Sequence, residues 1–236
     1  MTLAFPPVQT FFSFTLSSWF ACLTIETTGH IFPSMEKRAK KTDTRIKLIE
    51  TGLTLFAKNG YNGTGIKEIV DGADVPKGSF YNYFRSKEAF TVEIIRHYSQ
   101  ALSNMWDASL ASGPSDDPHG ALRNSFEMIV GLQEGAGVKS GCLIGNLAAE
   151  ISEASDLCRQ EMHRSTTAWK DRVSFYIEQG QAGGSIRNDI SSRTLTEFIW
   201  NAWEGALLNM KIANSTDPIK ECICVLFDFF LKPQKN

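Results

Sequence analysis

Val75-Pro76-Lys77-Gly78-Ser79-Phe80-Tyr81-Asn82-Tyr83-Phe84-Arg85-Ser86-Lys87-Glu88-Ala89-Phe90 is the stretch whose reading decides the fold. Pro76 has a fixed φ and no N–H, so it suits the first position of a helix and holds Val75 extended. A short helix is therefore expected to begin at Pro76. Within it Phe80 and Phe84, four residues apart, share the side that anchors, and Lys77, Ser79, Tyr81 and Tyr83 are left for another surface. A cation, a hydroxyl and two phenols are equipment that reaches phosphates and base edges when a helix lies in a major groove. Gly78, without a side chain, lets that backbone come close to a phosphate. The helix stops at Arg85-Ser86, and Ser86 is a good N-cap for a second helix that opens with Lys87-Glu88.

Working outward towards the N-terminus, residues 40–59 carry Ile46, Ile49, Leu53, Phe56 and Ala57 on one stripe, and Gly60 ends that helix. Thr64 is expected to cap the next helix, whose Ile66, Ile69 and Val70 turn inward. Segments 66–73 and 76–83 then make a helix-turn-helix, with Asp74 in the joint, a residue that tolerates a left-handed backbone. The charge supports this reading. Overall it is −2, but residues 35–90 hold eleven Lys/Arg against seven Asp/Glu, a balance of +4, and residues 91–236 hold thirteen against eighteen. A basic head on an acidic body fits a head that meets a polyanion, with the basic run 37–41 along the DNA backbone. Thr64, Lys77, Tyr81, Tyr83 and Lys87 are the expected phosphate contacts, and Gly78 and Ser79 lie on the same approach.

The run K-G-S-F-Y-N-Y-F-R-S-K-E resembles the recognition helix and following helix start of the TetR family of transcriptional regulators. The resemblance implies an all-α chain: an N-terminal three-helix head with a helix-turn-helix, and a larger C-terminal helical domain for ligand binding and dimerisation. It implies a homodimer on a palindromic double-stranded DNA operator. It also implies a small-molecule inducer that tilts the heads out of register, with repression as the usual habit.

On this reading residues 35–90 are the DNA-binding head and 91–236 the sensing and dimerisation domain. Residues 1–34 are expected to be an appended segment outside the functional fold, with no Lys or Arg and six of the sixteen phenylalanines. Their apolar run is short for a bilayer span and lacks the basic start of a signal peptide, so no membrane role is expected. Beyond the head, helices are expected over 86–110, 120–135, 142–152, 155–180, 192–213 and 218–231, with the turn-rich run 111–118 between the first two. The last pair is the most apolar part of the chain, with more greasy surface than one bundle hides on a single side. In the TetR resemblance these two helices form the dimer interface.

No HExxH, GxSxG, Walker loop or dinucleotide fingerprint occurs, so no catalytic site and no cofactor is expected. Five cysteines without regular spacing argue for reduced thiols in a cytoplasm, and Cys222 and Cys224 point to opposite sides of a helix and make no metal site. Cys142 is different. It falls in the first turn of a helix after Ser140-Gly141, where the helix dipole and Lys139 favour a thiolate, which makes it a candidate sensor of electrophiles and oxidants. Its S-G-C-L context resembles the TetR-family repressors of the N-ethylmaleimide reductase type and their acrylate-responsive relatives. That implies control by reactive electrophiles, chlorine species, aldehydes or small unsaturated acids. Lys211, in an apolar helix, is expected to face the same cavity, with Trp106, Phe126, Met162, Trp169, Phe175 and Trp203 as lining. Two alternatives stay open: a non-covalent hydrophobic inducer with Cys142 merely packed, and a small helical enzyme whose N-terminal helices are only structural.

Overall fold

In the computed structural model, residues 33–112, 117–135 and 140–234 are described, apart from the side chains of residues 33–42 and 112. They form nine α-helices and no strand: α1 (Pro33–Asn59), α2 (Ile66–Gly72), α3 (Lys77–Tyr81), α4 (Lys87–Ser112), α5 (Pro118–Gly135), α6 (Leu143–Ile151), α7 (Asp156–Ala182), α8 (Ser192–Ala213) and α9 (Asp217–Val225). A π-helical turn, Leu226–Phe230, continues α9. The all-α architecture expected from the sequence is the one observed.

Most element ends follow from local chemistry. Gly60 closes α1 at φ 74, where its N–H still reaches the Phe56 carbonyl at 3.0 Å. Ser86 caps α4 by accepting the Ala89 N–H at 3.0 Å, and Ser191 caps α8 by accepting the Thr194 N–H at 3.2 Å. At the other end of α8, Asn214 takes a left-handed φ of 50.

Several ends differ from the sequence reading, among them that of α3, which stops at Tyr81 and not at Arg85-Ser86. Helix α1 begins at Pro33 instead of residue 40, so residues 33 and 34 belong to it, with proline in the first turn where its missing N–H costs nothing. The remainder of the expected appended segment, residues 1–32, the side chains of the basic run 37–41, and Lys139 lie outside the described residues. Helix α5 starts at Pro118 instead of residue 120, because Asp117 accepts the Gly120 N–H at 2.9 Å. The last helix loses α-geometry at Leu226, where the Leu231 N–H bonds the Leu226 carbonyl at 2.9 Å, and this widened turn buries Leu226, Phe227 and Leu231 together.

Packing sorts the chain into two hydrophobic clusters. One joins Trp106, Phe126, Val173, Trp203, Met210 and Phe227 across α4, α5, α7, α8 and α9. The other gathers the head around Phe56, Phe80, Phe84 and Phe90, and also takes in Leu143, Leu147 and Ile151 of α6. Helix α6 is thus part of the head's core although it follows it by some fifty residues in the chain. Between the clusters runs α4, which contacts α1 at one end and α5 and α7 along its length, with Arg96 held 2.8 Å from the buried Glu161 of α7.

Candidate functional site

The head is built on phenylalanine. Phe80 is fully buried, with Phe84 and Phe90 rings centred 5.4 and 5.2 Å from it and 4.8 Å from each other. Burying each ring contributes roughly 1.5–3 kcal/mol, and the tilted pairs add to it. That anchorage fixes which side of α3 looks out. Pro76 is its N-cap instead of its first residue, its carbonyl taking the Ser79 N–H at 2.8 Å. In the joint before it, Asp74 adopts φ 53, the left-handed conformation the sequence called for.

Lys77, Gly78 and Tyr81 lie on the open face, Tyr81 being 55% exposed, and a Cβ at Gly78 would meet nothing within 4 Å. Ser79 and Tyr83 sit half-buried at its edge. Asn82 is exposed beside Tyr81 and joins this surface. It was missed because an amide in a turn signals only a turn. Two expected contacts are placed otherwise. Thr64 is 1% exposed, and its hydroxyl donates to the Gly60 carbonyl at 2.8 Å and the Leu55 carbonyl at 3.3 Å. Gly65 is the N-cap of α2 in its place, with its N–H donating to Glu68 Oε2 at 2.6 Å, so the Thr64 side chain neither caps α2 nor reaches a phosphate. Lys87 is half-buried. Its ammonium donates to the Tyr61 carbonyl and stands 3.9 Å from the Tyr61 ring centre, and burial lowers its pKa against the pull of Glu150 and Glu68.

In the larger domain α4, α5, α6, α7 and α8 line a partly open cavity of about 80 Å³, walled by Trp106, Trp169, Trp200 and Trp203. Cys142 stands at its edge as the N-cap of α6, Sγ accepting the Gly145 N–H at 3.5 Å. Helix-terminal donors pull the thiol towards ionisation as expected, but they lose. Burial pushes its pKa well above the ordinary cysteine value, and the carboxylate of Glu204, which accepts a hydrogen bond from the thiol, pushes it further. Burial and the neighbouring carboxylate thus work against the thiolate expected from the place of Cys142 on the helix. Burial also raises Glu204 above the usual carboxylate range and Tyr98 well above the phenol range, the neighbouring Cys142 adding to the latter while the Leu143 amide opposes it.

Lys211 is exposed and donates to Asn146 Oδ1 at 2.9 Å. It shares with Cys142 and Glu204 an open outer groove of about 850 Å³ along α6, so the two residues do face one space, but the charge beside the thiol is that of Glu204. Trp106, Trp169 and Trp203 line the inner cavity as expected. Phe126 does not. It is fully buried behind the wall, its ring 5.2 Å from Trp106 and 4.9 Å from Trp203. Met162 borders the outer groove, and Phe175 is 55% exposed away from both. Glu204 was legible in principle, as a carboxylate set between Trp203 and Gly205 in the apolar middle of α8. Tyr98, on a long mixed helix, gave no signal.

The far end of α6 touches the head. Glu150 accepts the Asn62 N–H at 2.8 Å and lies so close to Gly60 that a Cβ there would stand 2.3 Å from its carboxylate. One short helix thus carries the cavity thiol at its start and grips the α1–α2 connection at its end.

Residues 48–94 match the family model of bacterial regulatory proteins of the TetR family, and residues 118–226 match that of the tetracycline repressor-like C-terminal domain. The chain is 36% identical over 196 residues to the HTH-type transcriptional repressor DhaR of Mycobacterium sp. (strain GP1), covering 83% of this chain and 96% of that one. It is 34% identical over 172 residues to the transcriptional regulator AcuR of Cereibacter sphaeroides, covering 73% and 78%. The crystal structure of E. coli NemR in its reduced form superposes with a TM-score of 0.73 at 30% identity, covering 79% of this chain and 96% of that one. The chain belongs to the TetR family of DNA-binding transcriptional regulators.

Proposed function

We propose that this regulator is a homodimeric repressor that holds a palindromic operator through the open face of α3 and releases it when a small electrophile reaches Cys142. Its relatives DhaR and NemR are named as transcriptional repressors, which favours regulation over catalysis and a cytoplasmic place of action. Among the described residues no helix is long and apolar enough to cross a membrane. The observation that carries the reading is the placement of α6, with a thiol at the cavity and a carboxylate on the head. Adding atoms at Cys142 displaces the start of this rigid helix. The far end then pulls on the α1–α2 connection, and two heads that must sit roughly 34–36 Å apart lose register. Only an adduct that fits the released arrangement better shifts the balance.

A mobility-shift titration on DNA from upstream of the chain's own gene tests this. A retarded complex that weakens steeply with salt is expected, that acrolein dissociates, and that persists under acrolein once Cys142 is replaced by serine. Salt-insensitive or absent binding overturns the repressor reading, and release of the Cys142→Ser protein overturns the sensor. The second reading, a non-covalent hydrophobic inducer, is favoured by the tryptophan wall and the protonated thiol. It predicts calorimetric binding of an apolar compound with Cys142 left unlabelled.

A further inference from the structure

We propose that Glu204 is the general base that takes the Cys142 proton, and that the cavity is built for conjugate addition of a small uncharged α,β-unsaturated carbonyl compound. This rests on the electrophile reading above and names the chemistry that reading lacks. A protonated thiol is a poor nucleophile, so the cavity needs a proton acceptor. Glu204 is in place. Its carboxylate lines the same cavity as the thiol, and it packs against the first turn of α6 so tightly that a Cβ on Gly145 would stand 2.5 Å from Oε2 and 3.7 Å from the Cys142 Cβ. That gap exists because residue 145 has no side chain.

The other polar groups suit the second half of the reaction. The Tyr98 hydroxyl sits beside Sγ, and the Ser99 hydroxyl lines the same cavity, buried and without a hydrogen-bond partner among the described residues. Both are donors for a carbonyl oxygen. In the reaction Sγ bonds to the β-carbon and the thiol proton passes to Glu204. The C=C pair moves towards the carbonyl, whose growing negative charge the two hydroxyls receive. The Glu204 proton then goes to the α-carbon. The product is a saturated thioether, with no further reactant.

The charge of the ligand follows from the lining. The described residues around the inner cavity include no lysine, arginine or histidine. A carboxylate ligand would be buried beside Glu204 with no counter-charge, which is costly in so small a space. Besides Cys142 and Tyr98, the titratable and charged groups near Glu204 among the described residues are Lys211 on its own helix and Arg159 and His163 of α7, with Lys58 and Glu150 also lining the outer groove. None of these lines the inner cavity.

The test is the rate at which acrolein alkylates Cys142 in the full-length protein, read by intact mass between about pH 5 and 9, where a carboxylate base controls the profile. Below the Glu204 pKa the carboxyl is already protonated and the rate is low. The rate should rise through that pKa and level off well below the thiol's own ionisation. Glu204→Gln, still retarding operator DNA, should react at least about 10²-fold more slowly at neutral pH and lose the plateau, and Glu204→Asp should restore part of it. If Glu204 only repelled the thiolate, Glu204→Gln would react as fast or faster. That result overturns the proposal and leaves the electrophile reading standing, whereas an unreactive Cys142 in the unaltered chain overturns both. Should Glu204→Gln fail to bind DNA, the unaltered chain decides: a plateau supports the proposal, and a rate climbing through the thiol range rejects it. Acrylamide should outrun acrylate by more than tenfold after each rate is divided by that with N-acetylcysteine, and equal ratios reject the uncharged ligand.

Discussion

A methyl group at position 78 would meet nothing within 4 Å, and alanine is favoured over glycine inside a helix by up to about 1 kcal/mol. Gly78→Ala should therefore melt at the same temperature or higher, yet bind operator about tenfold more weakly, a loss of roughly 1.4 kcal/mol, because the methyl stands between α3 and the duplex. Thermal melting and mobility shift on the same preparation check both halves. Thr64 predicts the opposite pattern. Thr64→Val leaves the Gly60 and Leu55 carbonyls without their shared donor and should cost about 1 kcal/mol of stability, with the salt slope of operator binding unchanged. Lys77→Ala should keep stability and flatten that slope by about 0.9. At this scale the sequence was legible where spacing alone decides: the Phe80 and Phe84 anchors and the left-handed Asp74 were readable. It misled where a partner from a distant element decides. Threonine before a helix suggests a cap, but Glu68 reaching back to Gly65 makes a side-chain cap unnecessary. A cysteine at a helix start suggests a thiolate, but burial, and after it Glu204 arriving from α8, pushes the thiol the other way.

Helix α6 matters for a reason its sequence does not show. Its apolar residues Leu143, Leu147 and Ile151 read as helix, and so they are, but nothing in their periodicity says that they pack into the head. Helix α8 is the contrasting case, since Ser191 at one end and the terminal Asn214 at the other mark its limits locally. Besides this packing, the Glu150 carboxylate ties α6 to the α1–α2 connection by a hydrogen bond. Glu150→Gln should weaken the bond to the Asn62 amide while preserving the helix, and the ratio of operator affinities without and with acrolein should shrink several-fold, a loss of about 1 kcal/mol of coupling. An unchanged ratio would mean that α4, not α6, carries the signal.

The molecule as a whole exposes an apolar face that one copy leaves uncovered. Along α8, Phe198, Ala202, Gly205 and Ile212 recur at helical spacing, and Phe198 stacks on Phe230 at 4.5 Å between ring centres. Beside them α9 and its π-helical turn contribute Val225 and Phe229, and both Phe229 and Ile212 are 74% exposed. A stable pairing buries about 800 Å² on each partner around such a centre. Because both side chains project from an already packed chain, Ile212→Asp and Phe229→Asp should shift the stability of the single copy by only about 0.5 kcal/mol. If this face pairs two copies across a two-fold axis, each aspartate would be buried against the partner's apolar face and lose its hydration. Sedimentation should accordingly show the parent as a dimer and the double variant as a monomer. Operator affinity should then fall by about 10²–10⁴, since the second head no longer binds at the high local concentration its tether provides. A double variant that still sediments as a dimer would place the interface elsewhere on the chain.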